Sequence, residues 1–131
     1  MEVGIKNELS VLVNEERSAK VMGSGTLMVY ATPAMVALME QTAAESVEPF
    51  LGEGKTSVGT KMDVEHLAAT PIGMEVKCIS ELTAIEDRKL VFSIEAFDEG
   101  GLIGKAYHER FIISSERFLE KTYGKLKLLE K

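Results

Sequence analysis

From Thr56 onward the chain alternates between apolar and polar side chains. The segments Thr56–His66, Met74–Ile85, Leu90–Asp98 and Leu102–Ile113 each place apolar residues at roughly every second position, the period of a half-buried strand. The breaks between them carry turn chemistry: Pro71-Ile72-Gly73, Glu86-Asp87-Arg88 and Gly100-Gly101. An earlier segment, residues 3–13, has the same signal, with Ile5, Leu9, Val11 and Val13 on one parity. Residues 14–31 show no clean period and are interrupted by Gly23-Ser24-Gly25. A loop or lid is expected there, with either a short extended piece at Ser18–Met22 or a helical turn.

One long helix stands out. Thr32 before Pro33 reads as an N-cap with proline at the first helical position, where its missing N–H costs nothing. Ala34 to Val47 are mostly good helix formers, and Pro49 stops the run. The six consecutive apolar residues Ala34–Met39 exceed what a half-exposed helix needs, so this helix is expected to be mostly wrapped by protein. A short helix is expected at Glu116–Tyr123 behind a Ser115 cap. The order is strand, buried helix, then four strands in a meander. That predicts an α+β domain over 1–131: one central helix wrapped by a curved antiparallel sheet of about five strands. A ferredoxin-like sandwich would need a second full helix between the later strands, and none fits.

Composition narrows the function. The 131 residues are 45% hydrophobic and 27% charged, ordinary for one globular domain. A formal net charge of -6 argues against nucleic-acid binding, which needs a concentrated basic surface. The basic tail (Lys121, Lys125, Lys127, Lys131) is diluted by Glu120 and Glu130 and reads as solvated surface. Cys78 is the only cysteine, so neither an internal disulfide nor a cysteine-based zinc site can be built within one chain. The start of the chain lacks a secretory pattern, and the longest apolar run, Pro33–Met39, is far short of a membrane span. A soluble cytoplasmic protein is the expectation.

Candidate chemistry centres on Glu40. It follows a run of Pro33 and apolar side chains, and its helix-face neighbours are Val36, Ala37, Ala43 and Ala44. A carboxylate in such company is either paired or used; a structural hydrogen bond at the helix rim is the plainer explanation. His66 ends a strand whose inward parity is Val58, Thr60, Met62 and Val64, so Glu40 and His66 are expected to face one pocket. A satisfied core histidine is its bland alternative. Gly59, on the opposite parity, offers backbone that a ligand can approach closely. Thr32 stands eight helical residues before Glu40, roughly 12 Å along the axis at 1.5 Å per residue. Such a span predicts that, if both serve one reaction, one comes from a second subunit, with Thr32 assigned to the far side of the interface. His108 and Arg110 share a strand parity and suggest an interface, a ligand phosphate contact or an ion pair. Cys78 reads as a buried inert thiol, and Met35, Met39 and Met62 as core or pocket lining.

Ala31-Thr32-Pro33, Leu38-Met39-Glu40, Val58-Gly59-Thr60, His66-Leu67-Ala68-Ala69-Thr70-Pro71 and His108-Glu109-Arg110 together resemble the fluoroacetyl-CoA thioesterase-like branch of the hotdog superfamily. The resemblance spans roughly residues 30 to 118. It implies a hotdog fold, hydrolysis of an acyl-CoA thioester to free acid and CoA, and a homodimer with sites at its interface. It implies catalytic positions at Thr32, Glu40 and His66, an acyl-site glycine at Gly59 and a strand arginine at Arg110. No metal or cofactor is expected, CoA being part of the substrate; Arg88, Lys89, Lys105 and Arg110 are the candidates for its phosphates. Met22, Leu27, Met28 and Tyr30 stand where the fluoroacetyl-specific enzyme carries lid phenylalanines. A general preference for short or medium acyl chains is therefore expected, with a non-catalytic acyl-CoA binder as the alternative.

Overall fold

The computed structural model describes residues 1–129, so Glu130 and Lys131 of the basic tail lie outside the described residues. Five strands are present: β1 Lys6–Leu12, β2 Lys55–His66, β3 Glu75–Glu86, β4 Lys89–Asp98 and β5 Gly101–Ser114. They form one antiparallel sheet in the order β1-β3-β4-β5-β2. The expected meander holds only for β3, β4 and β5. β2 pairs with β5 rather than with β3, which places it at one edge while β3 lies next to the opposite edge. Leu67–Met74 carries the chain across. Its crossing is anchored by Leu67 N–H on the Ile103 carbonyl (2.7 Å) and Gly73 N–H on the Val13 carbonyl (2.8 Å).

The segment between β1 and the long helix is a folded lid. A 3-10 turn at Glu15–Arg17 leads into α1, Ala19–Met22, whose first turn is capped by the Ser18 hydroxyl accepting from Val21 N–H at 3.2 Å. Ala19–Met22 is thus helical, and only its cap Ser18 is extended. Gly23, at φ 76°, ends the turn in the left-handed conformation that glycine tolerates best. Bridges between Ser18 and Tyr30, and between Val29 and Pro71, tie the lid back onto the body.

The long helix α2 runs Thr32–Val47. Its N-cap is Ala31, not Thr32: the helix begins one residue earlier than expected, and no side chain caps it. That leaves the Thr32 hydroxyl free for other work. Ala34, Met35, Leu38, Met39, Thr42, Ala43, Ser46 and Val47 form the stripe pressed into the sheet. Each large apolar side chain buried there contributes about 1.5–3 kcal/mol, far more than helix propensity, so packing holds the helix in place. The expectation that α2 is mostly wrapped fails on its other side. Pro33 and Ala37 are exposed, and Val36, Glu40 and Ala44 only partly covered. The apolar run Ala34–Met39 therefore feeds two faces, only one of which this chain covers.

β2 does not keep its parity. Between Gly59 and Lys61 its register against β5 shifts by one residue at Thr60, a bulge that reverses which side chains face α2. Ser57 and Gly59 face the helix before the bulge; Met62, Val64 and His66 do so after it. Val58 and Thr60 were expected inward and are displaced from that face, while Gly59 moves onto it.

Close approach is tightest at Gly104, where an added Cβ would lie 2.6 Å from Met35 Sδ and 3.1 Å from the Glu65 carbonyl oxygen. Met35 is fully buried and the carbonyl belongs to a strand, so neither neighbour can retreat cheaply. Gly104→Ala is expected to cost about 1–3 kcal/mol by overpacking, visible as a fall of several degrees in Tm.

Candidate active site

Two polar clusters lie along α2, one at its first turn and one midway along it. At the helix start, Thr32 Oγ1 sits 2.8 Å from His66 Nδ1, so the helix and the end of β2 meet directly within one chain. The ring of His66 stands edge-on to Tyr30, with centroids 6.4 Å apart. Its Nε2 is buried and has no protein hydrogen-bond partner among the described residues. Burial disfavours the imidazolium and pulls the His66 pKa below its ordinary 6.5, partly offset by backbone hydrogen bonding at Ala68. A neutral imidazole against a hydroxyl is the arrangement a general base requires. A cleft of about 320 Å³ opens over this pair, walled by the lid residues Ala19, Ser24 and Val29 and by Leu67–Ala69.

Two turns further along, Glu40 belongs to a different group. Its Oε2 lies 3.7 Å from Arg110 Nη1, and a Cβ added to Gly59 would stand 2.6 Å from the same oxygen. Only glycine at 59 leaves room for the carboxylate. The guanidinium is 7% exposed and is held from three sides. Nε donates to Ser57 Oγ at 2.8 Å, Nη2 to the Ser57 carbonyl at 2.9 Å, and Nη1 to His108 Nε2 at 3.2 Å. Glu40 itself has a side chain 43% exposed, so it is a carboxylate at an open face rather than a buried one.

These positions revise the expected constellation. Glu40 and His66 do not share a pocket within one chain. His66 pairs with Thr32, which was assigned to a second subunit, and Glu40 is the member that stands apart. The cause is geometric: eight helical residues separate Thr32 from Glu40, and seven strand residues separate Gly59 from His66, so the first turn of the helix meets the last residue of β2 and its middle meets the middle of β2. Gly59 and Arg110, taken from the resemblance, do meet Glu40, because the Thr60 bulge turns Gly59 toward the helix. Ser57 went unnoticed in the sequence; a serine two residues before a glycine carries no signal until the bulge is known. Cys78 is fully buried, and burial pushes its thiol up to about 11, the inert state expected of it.

Comparison with known proteins follows the same lines. A family model described as fluoroacetyl-CoA-specific thioesterase matches residues 13–116. The fluoroacetyl-CoA thioesterase of Streptantibioticus cattleyicolor is 40% identical over 97 residues, covering 74% of this chain and 70% of that protein. The solved structure of the fluoroacetyl-CoA thioesterase FlK superposes with a TM-score of 0.91 at 33% identity, over 95% of this chain and 97% of that one. A thioesterase-superfamily member from Thermus thermophilus superposes with a TM-score of 0.87 at 29% identity, over 96% and 93% of the two chains. A hot-dog-like protein from Thermanaerovibrio acidaminovorans, 23% identical with a TM-score of 0.87, shares the fold.

Both histidines are set for the neutral state. Burial is also the main cause that pulls His108 below 6.5, and the Arg110 charge lowers it further against the raising effects of the Lys61 carbonyl and Glu40. Imidazole titration followed by NMR is expected to place both midpoints below 6.5. Because the unfolded chain then binds more protons, these groups contribute stability that is complete above 6.5 and lost as pH falls through the folded values. Melting temperatures measured from pH 7.5 downward should fall in that window, and less so once His108 is replaced by glutamine.

Proposed function

This chain belongs to the fluoroacetyl-CoA-specific thioesterase family of hotdog-fold acyl-CoA hydrolases, and we propose that it cleaves thioesters with short or medium acyl groups in a homodimer whose sites lie at the interface. One observation carries the reading. The Thr32–His66 pair and the Glu40–Arg110–Gly59 cluster occupy the same partly covered side of α2, yet stand roughly 12 Å apart along it. Neither is a complete site. Two features of the single chain favour a two-fold partner. β2 is an edge strand of twelve residues with no neighbour on its outer side among the described residues. The outer face of α2 presents Pro33, Val36, Ala37 and Ala44, small side chains left partly or fully open. Antiparallel association of two β2 strands brings the His66 end of one toward the Gly59 end of the other.

In that arrangement the thioester carbonyl lies between Glu40 of one chain and Thr32–His66 of the other. Water adds to the carbonyl, its proton passes to Glu40 or neutral His66, and the carbon–sulfur bond breaks to release the CoA thiolate and the free acid. Alternatively, Glu40 attacks the carbonyl, the carbon–sulfur bond breaks to expel the CoA thiolate, and water opens the resulting acyl-enzyme anhydride to give the free acid and restore Glu40. Mass-spectrometric trapping in slow His66 variants separates the two routes. The thiolate is a good leaving group, so no added cofactor is needed. The exposed Met22, Leu27 and Met28 of the lid support a tolerant acyl site. We place the enzyme in the cytoplasm; no helix among the described residues is long and apolar enough to cross a membrane.

The nucleotide end of the substrate has a matching seat. Lys89 is engaged by Glu86 and Glu109, Lys105 by Glu65, and Arg110 is committed to its cluster. Arg88 instead lines an open groove of about 320 Å³ with Lys55, Arg117, Phe50 and Ile112. Ile112 faces Ser57 across β2 and β5, so the groove adjoins the Arg110 cluster. Cations around apolar walls suit phosphates followed by a pantetheine arm.

Two measurements test these readings. In an acyl-CoA hydrolysis panel, Glu40→Ala and His66→Ala are each expected to lower kcat about 10²–10⁴-fold, and mixing Glu40→Ala with His66→Ala chains should restore activity that neither has alone. Acyl-CoA binding without hydrolysis by the parent chain would favour the non-catalytic binder, and failure of mixing would place each site within one chain. Arg88→Glu with Arg117→Glu should raise KM for acyl-CoA and leave KM for the matching acyl-pantetheine unchanged.

A further inference from the structure

One side chain of the Glu40 cluster that the family resemblance leaves without a role has its hydrogen bonding fully determined. His108 is 1% exposed. Its Nδ1 lies 2.7 Å from the Lys61 carbonyl oxygen, and its Nε2 lies 3.2 Å from Arg110 Nη1. A carbonyl only accepts and a guanidinium only donates. Nδ1 therefore carries the proton and Nε2 presents a lone pair, so donor and acceptor accounting alone makes this ring neutral in a single tautomer. Phe92, with its ring centroid 6.0 Å away and tilted by 34°, packs beside it and restricts the ring plane.

Each bond of His108 reaches a different part of the acyl-binding half-site. The Nδ1–H bond ends on Lys61, the residue directly after the Thr60 bulge that turns Gly59 toward Glu40. The Nε2 lone pair accepts a hydrogen bond from Nη1–H, the nitrogen of Arg110 nearest to Glu40. Ser57 engages the other two nitrogens of the fork, so His108 is the group that satisfies the remaining end. A Cβ placed on Gly59 would also lie 3.2 Å from His108 Cε1, which puts the ring edge in the floor of the same site.

We infer that His108 is a positioning residue of the Glu40 half-site: its Nε2 lone pair aims Arg110 at Glu40, while its Nδ1–H bond to the Lys61 carbonyl fixes the tautomer that leaves this lone pair free. The role rests on the thioesterase reading, but its two halves can be separated by chemistry. Glutamine places a side-chain oxygen near the position of Nε2 and keeps an acceptor for Arg110. Asparagine places an amide N–H near the position of Nδ1, keeps the bond to Lys61, and leaves Nη1 without an acceptor.

The experiment compares His108→Gln with His108→Asn in kcat, KM, Tm and the protection of the Arg110 guanidinium protons by NMR, with Arg110→Lys used to assign that signal. His108→Gln is expected to keep kcat/KM within about threefold of the parent. His108→Asn should lose about tenfold or more, the loss expected when a buried bond to a charged donor is removed, without a matching fall in Tm. The Arg110 proton signal should survive in the glutamine variant and exchange away in the asparagine one. If asparagine retains activity and the protected signal, or if both variants lose activity in proportion to Tm, His108 is structural only and the inference is overturned. Should His108→Gln fail to fold, the kcat/KM, Tm and proton signal of His108→Asn decide by the same criteria. Absence of turnover in the parent, with the NMR contrast intact, would instead remove the thioesterase reading and leave the positioning role standing.

Discussion

A buried guanidinium has to be satisfied, and the Glu40 half of the site is arranged around that demand. Arg110 cannot shed its charge, and leaving it unpaired would cost several kcal/mol. Ser57 supplies a hydroxyl and a carbonyl, His108 a lone pair, and Glu40 the opposite charge. Each contribution constrains something further. Ser57 and Gly59 can face the helix only on the near side of the Thr60 bulge. Glu40 can approach only because residue 59 has no side chain. His108 can accept only while it is neutral, and its burial keeps it so.

The second pair obeys a different constraint. Thr32 and His66 stand at the first turn of α2 and the last residue of β2, so both depend on how the crossover from β2 to β3 is anchored. The lid bridges to Pro71 on that crossover. Separation of the two clusters along a rigid helix means that no side-chain rotation within one chain unites them. In the homodimer we propose, a two-fold axis would bring them together without any rearrangement. The small side chains on the open face of α2 would be interface in that proposed dimer, which would give the apolar run a use on both sides of the helix.

Much of this was legible along the chain. The five strands and the long helix follow from period and punctuation, each within one residue except β1, which starts three residues later than expected. Glu40 stood out because a charge rarely follows so many apolar residues. Thr32 misled for a sound reason: threonine before proline is a good N-cap, and only the observed start at Thr32 frees its hydroxyl for His66. Parity through β2 misled for another. Alternation is counted by residue number, and a single extra residue at Thr60 exchanged the faces of everything on one side of it. That is why Gly59 read as pointing away from Glu40, and why Ser57 went unseen.

The amino-acid sequence by itself determined the element order, the α+β class, the family and the small set of residues able to do chemistry, because local period, turn residues and motif are properties of neighbours along the chain. Tertiary structure alone decided which of those residues meet. Partnership depends on register, on a one-residue bulge and on distance along a helix, and these are set by packing between segments far apart in sequence. Thr32 went to His66 and Glu40 to Arg110 because the first turn of α2 lies over the end of β2 while its middle lies over the bulge and β5.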